Sequence, residues 1–270
     1  MNIEKNDKHS LEALAVMARL RLLKLHYDIH HGHLGGDLSC IDSLIVLFHS
    51  VLKKDDVFIL SKGHSAGTLY IAMWSKGLLN EDDLNTFAKD GTRLGIHPPV
   101  KGLDSVVFGT GSLGHGFSLA AGLALGKKLK RESGRVYCLC GDGEWQEGSC
   151  WEALTFAVHK KLDNLSLLID ANGWQGFGST EQVASVSSSD LCERLRSFGP
   201  NIVTCDGHDL KALNETLPRT GKTGMPSVIL MKTVKGKGVA CLENTLASHY
   251  LPLTREQYEE ARRALGGGDA

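Results

Sequence analysis

The chain alternates between two hydrophobic rhythms. Over residues 11–30, apolar side chains recur at helical spacing (Leu14, Met17, Leu20, Leu23, Leu25), the stripe of an amphipathic helix. Residues 40–52 repeat the pattern and predict a second helix. Five short runs are apolar on both faces instead: 57–60, 136–140, 165–169, 202–204 and 228–231. Each is followed by glycine, polar or charged residues, as expected of strands buried on both sides of a sheet. Helical periodicity returns near 66–76, 113–129, 152–160, 191–197 and 210–217. Strands alternating with helices predict an α/β fold of three layers, a parallel sheet with helices on both faces. Neither an internal repeat nor a low-complexity linker divides the chain, so one domain over residues 1–265 and a disordered tail over 266–270 are expected.

Composition narrows the function classes. With 270 residues, 42% apolar and 23% charged, the chain can bury a substantial core. A formal net charge of −1 gives no global field to attract nucleic acid or an anionic membrane. The basic cluster Lys127, Lys128, Lys130 and Arg131 ends a helical pattern, where cations suit the negative end of the helix dipole and a solvated face is expected. Residues 1–10 are polar, no bilayer-spanning apolar run is expected, and a cytoplasmic location follows by default. Seven cysteines include no C-x-x-C pair; Cys138 and Cys140 lie on one face of a strand, where core thiols are expected.

In parallel sheets, ligands bind where loops leave the carboxyl ends of the strands. Two such loops carry chemistry. Gly141-Asp142-Gly143 follows the second apolar run, and Asp170-Ala171-Asn172-Gly173-Trp174 follows the third. Glycines permit a tight turn, while carboxylate and amide oxygens suit Mg²⁺. A lone G-D-G also serves any tight turn. Adjacent parallel strands would bring Asp142 and Asn172 to one sheet edge, where two good Mg²⁺ ligands are unlikely to coincide by chance.

G-D-G followed about thirty positions later by asparagine resembles the signature of thiamine-diphosphate enzymes. Further segments are similar to those of transketolases: Gly32-His33-Leu34-Gly35-Gly36-Asp37-Leu38-Ser39, Phe58-Ile59-Leu60-Ser61-Lys62-Gly63-His64, Gly95-Ile96-His97-Pro98, Gly109-Thr110-Gly111-Ser112-Leu113-Gly114-His115-Gly116, and Lys232-Thr233-Val234-Lys235-Gly236-Lys237-Gly238. Together they span about residues 10–250. The resemblance implies a thiamine-diphosphate-binding fold in which Asp142, Asn172 and the Trp174 carbonyl hold Mg²⁺. It implies cofactor contacts from His64, Gly111, Ser112, Leu113, Gly141, Gly143, Glu144 and His249, and catalytic or substrate roles for His33, His64, His97 and His249. Imidazoles suit such work, since the neutral ring donates at one nitrogen and accepts at the other and titrates near neutrality. His26, His30, His31, His49, His159 and His208 have no motif behind them and read as structural; His115 occupies a variable slot beside the cofactor loop.

Glu147 and Glu152 begin a helix, where acids favour the positive dipole end; the resemblance adds a role across a subunit interface. Residues 116–126 are rich in small side chains, as suits a closely packed helix inside the domain or at an interface. No candidate is found for the family's carboxylate that meets the aminopyrimidine, nor for its phosphate-clasping arginines. The resemblance therefore implies a split transketolase: a partner chain with the pyrimidine-binding domain, an α2β2 heterotetramer, and ketol transfer between sugar phosphates. The alternatives are the α subunit of a 2-oxo acid dehydrogenase and a non-catalytic cofactor-binding subunit.

Overall fold

A computed structural model describes residues 10–219, 221 and 224–267. Five parallel strands form the central sheet: β1 (Val57–Leu60), β2 (Val136–Gly141), β3 (Leu165–Ala171), β6 (Asn201–Asp206) and β7 (Ser227–Lys232), in the order β1-β2-β3-β7-β6. A two-stranded antiparallel pair, β4 (Trp174–Gln175) and β5 (Gly178–Ser179), hangs off the end of β3.

Successive strand residues face opposite layers. Phe58, Leu60, Tyr137, Leu139, Leu168, Ile229 and Met231 join one core with α1 (Leu11–Ile29), α2 (Leu34–Val46), α3 (Ala66–Ser75), α4 (Glu81–Leu84), α9 (Leu210–Thr216) and α11 (Arg255–Ala264). Ile59, Val136, Cys138, Cys140, Leu167, Ile169 and Leu230 point the other way, against α5 (His115–Lys130), α6 (Gly148–His159) and α8 (Ser188–Ser197). The short helices α7 (Thr180–Ala184) and α10 (Ala247–Tyr250) lie in the loops at the carboxyl end. The expected three layers and the five expected strands are all present.

Several expected details change. The second helix begins at Leu34, inside the G-H-L-G-G segment, and its last turn widens to a π-turn over Leu47–Val51. Glycine at 35 is required there, because a Cβ would overlap the Ser248 hydroxyl. The 18 residues Leu34–Val51 are, contrary to expectation, long and apolar enough to cross a membrane, yet 89% of that stretch is buried inside the fold as a core helix. Lys127 is buried rather than solvated, with Nζ donating to the carbonyls of Asp55 and Ser133. Cys138 and Cys140 are core thiols, their sulfurs 3.9 Å apart. Of the expected disordered tail, Gly266 and Gly267 are held by hydrogen bonds to the Arg263 and Arg262 carbonyls, while 268–270 lie outside the described residues.

Candidate active site

Register fixes the site. Gly141 pairs with Asp170 and Ala171 with Lys232, so the loops after β2, β3 and β7 leave the sheet side by side. They line a cleft of about 160 Å³ with Lys62, His64, Leu113, Asp142, Asn172, Trp174, Lys235 and His249 in its wall. A larger hollow of about 470 Å³ shares Asp142 but is walled mainly by Trp145, Trp151, Leu191 and Phe198, with no comparable convergence of charge.

Asp142 and Asn172 meet as expected. Asp142 Oδ2 accepts from the Gly173 amide at 2.6 Å and Oδ1 from Gly143 at 2.9 Å; Asn172 Oδ1 accepts from the Trp174 amide at 2.9 Å. Burial, and then the Asp170 carboxylate, push the Asp142 carboxyl up to about 7. A buried carboxylate beside an amide oxygen offers hard-oxygen donors of the kind that suit a small divalent cation. Glu144 is engaged differently: Oε1 accepts from Ser61 Oγ (2.6 Å) and the Gly114 amide (2.9 Å), and Oε2 from the Gly141 amide (2.8 Å). It braces three loops of the site. Burial raises its pKa against those hydrogen bonds.

Three of the four expected histidines converge. Ring centroids of His33 and His64 lie 5.6 Å apart, of His33 and His249 5.0 Å, and of His64 and His249 5.8 Å. His33 adopts a left-handed conformation (φ 69°) at the start of α2, and its amide donates to the His249 carbonyl at 2.9 Å. Burial depresses all three rings: His33 to about 4 despite Asp37, His249 to about 3 with help from Lys235, and His64 well below the usual histidine range with help from Lys62. All three are therefore neutral at pH 7. His97 is exposed and stands outside this triangle; its ring packs on Gly111, where a Cβ would come within 2.8 Å of it. Leu113 edges the cleft, Ser112 and His115 are exposed, and Glu147 and Glu152 stand exposed at the start of α6.

Two lysines and an aspartate join the site beyond those expected from sequence. Lys62 is 1% exposed; its Nζ donates to Asp170 Oδ2 at 2.5 Å and to the Gly36 carbonyl at 2.9 Å. Asp170 also accepts from Ser39 Oγ at 2.5 Å and from Thr233. Burial opposes both charges, yet each raises or lowers the other toward its ionised form, so Lys62 stands above and Asp170 below its ordinary pKa. Lys235 is 2% exposed and has no carboxylate in ion-pair contact among the described residues: its Nζ donates to His249 Nδ1 at 2.9 Å. Burial, and then the Lys62 ammonium, hold it down at about 8. That bond leaves the neutral His249 proton on Nε2. The cleft thus holds one paired lysine and one that lacks an anion, an arrangement that favours a phosphate group. Both lysines lie inside transketolase-like segments, S-K-G-H and K-T-V-K-G, each a few residues past the end of an apolar strand.

Residues 13–269 match the family described as "Transketolase, thiamine diphosphate binding domain". The chain is 34% identical over 266 residues to one subunit of the apulose-4-phosphate transketolase of Phocaeicola vulgatus, covering 95% of this chain and 94% of that one. It is 35% identical to "6-deoxy-6-sulfo-D-fructose transketolase subunit SqwG" of a Clostridium species, covering 85% and 86%. The transketolase structure from Campylobacter jejuni superposes with a TM-score of 0.86 at 29% identity, covering 98% of this chain but 43% of that longer one. The chain therefore spans nearly all of the relatives named as subunits and about two-fifths of the longer enzyme.

Proposed function

We propose, because this chain belongs to the transketolase family of thiamine-diphosphate-binding domains, that it is the diphosphate-binding subunit of a two-chain transketolase, active only with a pyrimidine-binding partner in an α2β2 assembly. The observation that carries this reading is the cleft at the ends of β2, β3 and β7: an oxygen donor set on one wall, an unpaired buried ammonium on another, and neutral imidazoles leading outward.

Thiamine diphosphate, when bound, supplies a thiazolium carbon able to take up a two-carbon ketol unit. Each residue here has a definable task. Asp142, Asn172 and the Trp174 carbonyl would hold Mg²⁺, and Lys235 with His64 and His249 would receive the diphosphate as cation and imidazole donors. Gly143 packs against Gln175, where a Cβ would come within 2.9 Å of the Gln175 side chain, so the backbone can approach the phosphates. Lys62 and Asp170 hold the floor rigid, since each neutralises the other in a water-poor setting. His33 and His64 are neutral, so each can accept a proton from a sugar hydroxyl or donate a hydrogen bond to its oxygen, while His249, its Nδ1 engaged by Lys235, can donate from Nε2. His97, at the outer edge, contributes to the sugar's path. Glu147 and Glu152 face outward, where they can meet the partner.

The family resemblance assigns the activating carboxylate and the phosphate-clasping arginines to the partner, and relatives named as transketolase subunits support that reading. The test is two-carbon transfer between sugar phosphates, measured with thiamine diphosphate and Mg²⁺ for the chain alone and with its partner. Robust transfer by the chain alone would refute the two-chain reading.

A further inference from the structure

The three clustered histidines are followed by a fourth ring that no motif marked. His31 is half-buried and stacks on His33 at 5.5 Å with an interplanar angle of 23°. Its backbone is fixed by the end of α1. His30 takes the left-handed conformation (φ 51°), its amide reaches the Tyr27 carbonyl, and the His31 amide reaches the His26 carbonyl at 3.2 Å, closing the helix with a Schellman turn. On the other side Gly32 presses on α10, where a Cβ would overlap the Tyr250 carbonyl. The backbone that carries the ring cannot shift without disturbing both helices.

Its orientation is also fixed. His31 Nδ1 lies 3.0 Å from the Gly32 carbonyl, and a carbonyl only accepts, so Nδ1 carries the proton. Nε2 of the neutral ring is then an acceptor. It has no protein partner among the described residues and is not enclosed, so it meets solvent. Charge on His31 would be felt at both His33 and His97. From the cleft outward the imidazoles run His64 and His249, then His33, then His31.

We infer that His31 is a further substrate-binding residue, whose Nε2 accepts a hydrogen bond from a sugar hydroxyl one position outside the hydroxyl met by His33. The inference rests on the two-chain transketolase reading. It assigns this chain a share in choosing among polyhydroxylated ketose phosphates: a donor that lacks a hydroxyl at that position, or carries it inverted, leaves the acceptor unused and is bound more weakly.

The experiment uses the complex of this chain with its partner, loaded with thiamine diphosphate and Mg²⁺, and D-xylulose 5-phosphate as donor. His31→Phe keeps a ring to stack on His33 but has no acceptor; His31→Gln keeps an acceptor. The expected result for His31→Phe is a KM raised about fivefold to tenfold, with kcat within about twofold and cofactor affinity unchanged. His31→Gln should recover most of the KM. A wild-type KM in His31→Phe overturns the inference. So does a parallel fall in kcat and cofactor affinity in both variants, since that would mark His31 as a support for His33. If the wild-type complex transfers nothing, the two-chain reading fails separately. The inference is then decided by the ¹⁵N resonance of His31 Nε2 on titration with the same sugar, where a saturable shift upholds it and no shift overturns it.

Discussion

Replacing Lys235 by methionine should move cofactor affinity and apo-protein stability in opposite directions. The wild-type ammonium is 2% exposed, bonded to His249 Nδ1 and unaccompanied by a carboxylate. Its pKa falls from 10.5 in the unfolded chain to about 8 in the fold. At roughly 1.36 kcal/mol per unit, holding that charge costs the apo fold roughly 3 kcal/mol at pH 7. The bond to His249 returns about 1 kcal/mol, so methionine, of similar length and apolar, should stabilise the apo chain by roughly 2 kcal/mol. For a domain of this size that is a rise in Tm of roughly 4 °C. A depressed lysine pKa makes the penalty complete below pH 8 and relieves it as pH rises from 8 to 10.5, so the two proteins should converge in stability over that window. With the diphosphate, the same ammonium becomes the donor of a charge-assisted hydrogen bond worth about 1.5–3 kcal/mol, and its loss should weaken cofactor binding roughly 10- to 150-fold. Calorimetric titration with thiamine diphosphate and with thiamine supplies the assay, because only the diphosphate should suffer. Unchanged diphosphate affinity, or an apo Tm that falls, would refute the reasoning.

Other consequences can be checked separately. Asp142→Ala should abolish Mg²⁺-dependent cofactor binding while the far-ultraviolet spectrum stays native; binding that survives would remove Asp142 from the metal set. Asp170→Asn leaves the Lys62 ammonium buried without its counter-charge, and urea unfolding should show a loss of about 3–5 kcal/mol. Acid should destabilise the fold early. The unfolded chain takes up protons on His33, His64 and His249 near pH 6.5, whereas the folded rings resist to about 4 or lower. Asp142, raised to about 7, offsets one of those three protons by holding its own in the fold. Together these four groups make stability fall with pH between about 6.5 and 4, contributing a slope of up to roughly 2.7 kcal/mol per pH unit. Unfolding free energies at several pH values test the slope, and His249→Gln should lower it by roughly 1.4 kcal/mol per pH unit.

Much of this architecture was legible because the parallel strands are buried on both faces, which forces continuous apolar runs. The same runs put Asp142 and Asn172 at one edge of the sheet. What escaped has physical reasons. The start of α2 was hidden because glycines at 35 and 36 lower helix propensity, yet tight packing against Ser248 needs glycine at 35. The β4–β5 pair is too short for any period to show, and α11, although amphipathic, lies beyond the last motif. Lys62 and Lys235 escaped because lysine side chains ordinarily seek water; only the three-dimensional closeness of Asp170 and His249 explains their burial. His31 escaped because a ring set by a helix-ending turn leaves no signature in spacing.

The Glu144 carboxylate ties the segment after β1, the turn before α5 and the end of β2 through Ser61, Gly114 and Gly141. For anyone engineering this protein, those three stretches form one inheritable block. A loop transplanted singly from a relative with a different sugar preference would arrive at a carboxylate still set for its old neighbours. Libraries that diversify the three together, with Glu144 held constant, should yield folded variants at higher frequency than libraries that exchange them one by one.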